Sequence, residues 1–142
     1  MASGSFPYDR FLGEFKELAH GRPDGAALRD SVRVQGDPDE EKLARYLRSG
    51  SVLAVSGSAV HDALSGEFIA GLELRTDGEW FWYSDLAHYL ERYHVPLEKA
   101  FIDHARAHRW TPAPLSDEDL IRIGDTLDAL EAEDDEDDGA NL

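Results

Sequence analysis

"RTDGEWFWYSDLAHYLERYHV", residues 75–95, carries two of the chain's three tryptophans and three of its five tyrosines. It decides the fold because two hydrophobic periods meet inside it. The alternation of EFIAGLELR (67–75) marks a strand, TDG turns the chain, and EWFWY returns as a second strand. The period then lengthens, and Leu86, Tyr89, Leu90 and Tyr93 share one arc of a helix, with His88, Glu91 and Arg92 opposite. Upstream, SVLAVS (51–56) reads as a further strand, buried and rich in small and β-branched residues.

Two registers fit the turn. A two-residue loop at Asp77-Gly78 would pair Arg75 with Trp80 and Leu74 with Phe81. A three-residue loop, Thr76-Asp77-Gly78, would pair Arg75 with Glu79, Leu74 with Trp80, Glu73 with Phe81 and Leu72 with Trp82. The second is favoured. It matches opposite charges and gathers Leu72, Leu74, Trp80 and Trp82 on one face, where cross-strand pairs contribute roughly 0.2–1 kcal/mol each. On this reading Trp80 and Trp82 are core. Phe81 and Tyr83 face the other way beside Glu73, and with Tyr89 at the helix–sheet edge they form the candidate partner-binding surface.

Working outward, YDRFLGEFKELAH (8–20) places Phe11, Phe15 and Leu18 on one helical stripe that ends at Gly21. Val32 and Val34 suggest a short strand. A second helix is expected from Asp37 as N-cap, with Pro38 in its first position and Glu40 closing a capping box. Ser84 is expected to cap the third helix, and Leu97–Arg109 to form a fourth. Ser116 caps a fifth, which carries Leu120, Ile123, Leu127 and Leu130 on one stripe. EAEDDEDDGANL (131–142) has almost nothing to bury and is expected to be disordered. The expected architecture is α+β, a three-stranded antiparallel meander packed with about five helices. One globular domain covers residues 1–130, followed by an acidic disordered tail at 131–142.

Composition narrows the function. The 142 residues form a chain long enough for a conventional core, and the absence of cysteine excludes disulfides, thiolate metal sites and a cysteine nucleophile. Arginine outnumbers lysine eleven to three, a bias typical of high-GC bacterial genomes. The net charge of −16 is uneven: Leu115 to Leu142 hold twelve acidic residues and one basic one, while the remainder carries only −5. Nucleic acid and anionic lipid are therefore not expected as partners, because affinity for phosphate rests on Lys and Arg. A basic protein partner suits the charge. No apolar run approaches the ~18 residues a membrane span needs, and MASGSFPYDRF lacks the segments of a signal peptide. The expected compartment is the cytoplasm.

Candidate chemistry centres on the fourth helix. Leu97, Phe101, His104 and His108 fall within about 60° of arc on an ideal helix. An i, i+4 histidine pair can chelate zinc when a third ligand comes from elsewhere, and His94 is the candidate third. The metalloprotease motif would need glutamate after the first histidine, where Ala105 stands. Ser56, Ser58, His61 and Asp62 lie close in sequence but form no nucleophile elbow. No P-loop, dinucleotide fingerprint or calcium loop is present, and no cofactor is expected.

The stretch LRTDGEWFWYSDLAHYLERYHVPLEKAFIDHA (74–105) resembles a pattern in small uncharacterised bacterial proteins, mainly actinobacterial. That pattern has a D-G-x-W-x-W hairpin, a D-L-x-x-Y helix, Y-H-V and a further helix containing Phe and His. It is matched here by Asp77, Gly78, Trp80, Trp82, Asp85, Leu86 and Tyr89, then by Tyr93, His94, Val95, Phe101 and His104. Tyr83 departs from it, standing where proline often follows the second tryptophan, as does Pro96, which precedes Leu97. The resemblance brings no activity. It implies that the hairpin and the two helices form one unit.

Together these readings favour a non-catalytic protein-interaction module, of the immunity, antitoxin-like or inhibitor kind, that binds a basic partner. The alternative is a small metal- or small-molecule-binding protein that uses His94, His104 and His108.

Overall fold

The structure is a computed structural model that describes residues 10–18 and 21–140, with the side chains of residues 57, 70 and 130–140 outside that description. The chain is α+β with an antiparallel sheet. A short 3-10 turn, Arg29–Ser31, is followed by α1 (Glu40–Ser49), β1 (Ser51–His61), β2 (Phe68–Thr76) and β3 (Phe81–Tyr83). Then come α2 (Leu86–Tyr93), α3 (Lys99–Ala107) and α4 (Asp117–Ala140). The strands pair in chain order.

Four α-helices stand among the described residues where about five were expected, because residues 10–18 are not helical. The rest of that expected helix, Tyr8, Asp9, Ala19 and His20, lies outside the described residues. Leu12 N–H donates to the Phe81 carbonyl at 2.9 Å, and Phe81 N–H donates to the Arg10 carbonyl at 2.9 Å. This parallel bridge between Phe11 and Phe81 covers the outer edge of β3. The edge groups of a strand need partners, and supplying them outweighs the helical pattern of the sequence. Gly13, at φ +69°, then turns the chain against Leu86, so Leu12 and Phe15 reach the core.

Other boundaries move for local reasons. The strand expected at Val32–Val34 is absent, and Arg33 instead ties the segment to α2, its N–H donating to the Tyr93 carbonyl and its Nε to the His94 carbonyl. Helix α1 begins at Glu40 rather than after Asp37, and Asp39 occupies the N-cap without a side-chain bond. No capping box forms there, because the Glu40 carboxylate faces His94 Nδ1 at 2.8 Å. Ser84 does not cap α2: its Oγ accepts the Glu73 N–H, fastening β2 to the end of β3, and Asp85 takes the N-cap. Helix α3 is shorter than the expected Leu97–Arg109, and Arg109 and Trp110 both adopt left-handed backbone (φ 57° and 59°). At α4 the Ser116 cap forms as expected, Oγ accepting the Asp119 N–H at 3.0 Å. The α4 backbone continues to Ala140.

The hairpin adopts neither weighed register. Thr76 pairs with Phe81, Arg75 with Trp82 and Leu74 with Tyr83, leaving a four-residue loop, Asp77 to Trp80. Side chains set this length. Asp77 Oδ1 accepts the N–H groups of Glu79 (2.9 Å) and Trp80 (2.8 Å), while Thr76 Oγ1 accepts the Gly78 N–H and donates to the Trp80 carbonyl. An aspartate that bonds its own turn in this way replaces the backbone turn assumed from the Asp-Gly pair. Gly78, at φ +100°, supplies the left-handed position.

Because of this shift, Trp82 shares a face with Arg75 and Glu73, while Phe81 and Tyr83 lie with Leu74 and Leu72. Trp80 and Trp82 are core, as expected, but their partners come from helices. The Trp82 ring lies 6.1 Å from Tyr46 and 5.8 Å from Phe101, and its Nε1–H donates to the Leu47 carbonyl at 2.9 Å. Trp80 meets Phe101 edge-on at 5.5 Å. Leu43, Leu47, Leu86, Leu90 and Val95 complete this side. Strand β1 runs on to His61 and is exposed over much of its length, not buried, because it forms the edge of the sheet. Helix α4 lies across it, with Gly124 opposite Leu53. No helix among the described residues is long and apolar enough to cross a membrane.

Candidate functional site

Two aspartates organise the polar interior, and each joins a turn to a helix histidine and a tyrosine. Asp77 serves the hairpin turn. Besides the two backbone groups on Oδ1, its Oδ2 accepts the Tyr46 hydroxyl at 2.5 Å and His104 Nε2 at 2.9 Å. A carboxylate can only accept, so the imidazole nitrogen is the donor. Burial, then the bond to Asp77, pushes the Tyr46 hydroxyl far above its ordinary value. Both side chains are therefore committed, and α1, α3 and the hairpin meet at one carboxylate.

Asp62 does the same for the turn after β1. Its Oδ1 accepts the N–H groups of Leu64 (2.8 Å) and Ser65 (3.0 Å), and Oδ2 accepts the Tyr93 hydroxyl (2.7 Å) and His88 Nε2 (2.8 Å). Burial alone would raise the Asp62 carboxyl, but these four donors outweigh it and hold the group well below the usual carboxylate range. Tyr89 accepts the Ala63 N–H at 3.0 Å, and burial pushes its hydroxyl up to about 12. Neither Ser56 nor Ser58 joins this arrangement. Ser56 Oγ accepts the Ser58 N–H within β1, and His61 packs its ring against Phe68.

The expected metal residues separate. His94 closes α2 in a left-handed conformation (φ 58°) with its ring on Glu40. His104 and His108 stay together, ring centroids 4.4 Å apart, and a residue the sequence reading missed joins them. Glu79 Oε2 lies 3.9 Å from His104 Nδ1. The three-residue loop would pair Glu79 with Arg75 instead. Only the longer loop, fixed by Asp77, carries it beside α3.

The expected partner-binding residues separate as well. Phe81 is fully buried and stacks on Phe11 at 5.2 Å, and Tyr89 is 1% exposed, so neither ring presents a free face. Glu73 is half-buried, with the Arg75 guanidinium at 2.7 Å. Tyr83 is half-buried too, and lines a groove of about 330 Å³ between the sheet and α4. Leu53, Ala54, Leu72 and Leu74 form the floor of that groove, and Leu127 and Asp128 its helical wall. Val55 is 71% exposed and Ile121, further along α4, 64%. The groove depends on α4 lying across β1, which no local pattern in SVLAVS or in the helix reveals.

Comparison with protein-family models, with curated proteins and with solved structures finds no match.

Proposed function

We propose that the protein is a non-catalytic interaction module that binds a basic protein partner, as an immunity, antitoxin-like or inhibitor protein would. The groove between α4 and the edge of the sheet carries this reading, because it pairs an apolar floor with an acidic rim. Leu53, Leu74 and Tyr83 offer area that an apolar anchor can cover, and anchors of that kind dominate binding energy. Asp117, Glu118, Asp125 and Asp128 are exposed on α4, and the helix carries a single arginine. Charge of one sign beside the groove steers an oppositely charged partner and rejects acidic ones. Among the described residues β1 is an edge strand of the sheet, and a partner strand can bond along such an edge.

Affinity purification from the native host, followed by binding with the purified partner, tests the reading. The partner should be basic, and its affinity should fall steeply with salt. Leu53→Asp, Tyr83→Ala and the double change Asp125→Asn with Asp128→Asn should each weaken binding. A partner that binds all three variants as tightly as the parent contradicts the proposal.

A further inference from the structure

We propose that Glu79, His104 and His108 form a binding site for a divalent transition metal ion of the zinc class. One donor atom from each residue lies within 4.8 Å of the others. His104 and His108 project from successive turns at the end of α3, and Glu79 reaches them from the hairpin loop.

The hydrogen bonds around the two rings favour a metal. His104 Nε2 is engaged by Asp77, which leaves Nδ1 as the lone-pair nitrogen, facing Glu79. His108 Nδ1 lies 2.9 Å from the His104 carbonyl and donates to it, so Nε2 keeps the lone pair. One ring thus gives its proton to a carboxylate and the other to a backbone carbonyl. Metal-bound histidines are oriented by these same two partners. Asp77 is itself held by Tyr46 and by two backbone N–H groups, so the support behind His104 is rigid.

The spacing agrees. The 3.9 Å between His104 Nδ1 and Glu79 Oε2 exceeds hydrogen-bond reach. It stands near the ~3.4 Å that separates two ligands of a tetrahedral ion bound at about 2.1 Å. The other Glu79 oxygen, Oε1, faces the Arg10 guanidinium at 3.5 Å, which leaves Oε2 for the ion. Two imidazoles and one carboxylate suit zinc, cobalt, nickel or copper, whereas magnesium and calcium prefer all-oxygen sites. Three protein ligands leave a fourth position for water or a donor from another molecule. The site shares no residue with the α4 groove, so it stands or falls separately from the proposed function.

The test uses the full chain, purified without an affinity tag, stripped with chelator and titrated with Co²⁺ and Zn²⁺. Calorimetry should find a single equivalent bound, and Co²⁺ should give the intense visible bands of a tetrahedral site. His108→Ala and Glu79→Gln, both at exposed positions, should keep the metal-free melting curve and weaken binding at least ~10-fold. His94→Ala should bind as the parent does, and excess Mg²⁺ should not compete. No stoichiometric uptake overturns the proposal. So does uptake that neither His108→Ala nor Glu79→Gln weakens, which would place the metal elsewhere on the chain.

Discussion

His104 Nε2 lies 2.9 Å from Asp77 Oδ2, and through that bond a helix of the second half of the chain is locked to a hairpin turn twenty-seven residues earlier. The Tyr46 hydroxyl converges on the same oxygen at 2.5 Å. The turn is therefore built by its tertiary partners as much as by Asp77 and Gly78.

Tyr46→Phe should separate the hydrogen bond from the packing of the ring. The variant keeps the contacts with Trp82 and Phe101 and leaves Asp77 short of one donor. A loss of about 1–3 kcal/mol in denaturant unfolding is expected. A change near zero would mean that the turn does not depend on this bond.

Asp62 sets a pH dependence of stability. Its carboxyl is held below the range of an unfolded aspartate, so the unfolded chain binds the proton more readily. The stabilisation is complete above the ordinary carboxylate pKa and is lost as pH falls through the folded one. Asp62→Asn should cost about 1.5–3 kcal/mol at neutral pH, since a charge-assisted acceptor with four donors is removed. The difference from the parent should shrink as the solution is acidified. A difference that stays constant with pH contradicts the assignment.

The register predicts an order of damage within one tripeptide. Phe81 is fully buried against Phe11, and Tyr83 is half-exposed at the groove. Phe81→Ala should cost about 3–5 kcal/mol, and Tyr83→Ala roughly 1–2 kcal/mol. Gly50→Ala should also destabilise, because its Cβ would stand 2.5 Å from the Trp82 ring. Equal effects at positions 81 and 83 would contradict the difference in burial between them.

Much of this fold was legible where periodicity and burial agree. Trp80, Trp82, Leu86, Leu90, Leu43 and Leu47 were readable as core from spacing alone, and they are buried. The errors share a cause: a residue's long-range partner overrode its local preference. Phe11 and Phe15 have helical spacing, yet the open edge of β3 takes the backbone of residues 10–12. Asp77 looked like half of a two- or three-residue turn until Tyr46 and His104 bound it. Within the candidate metal site, His104 and His108 were visible as an i, i+4 pair, whereas Glu79 depends on the loop length and His94 is drawn away by Glu40. The groove was illegible for the same reason, since no local pattern places α4 across β1.

The proposed function is tested most directly by amide hydrogen exchange on the full chain, alone and bound to the purified partner recovered from the native host. The account expects new protection in residues 51–56 of β1 and 117–128 of α4, with the hairpin loop at 77–80 unchanged. Protection confined to the loop and α3, or none along β1 and α4, would contradict it.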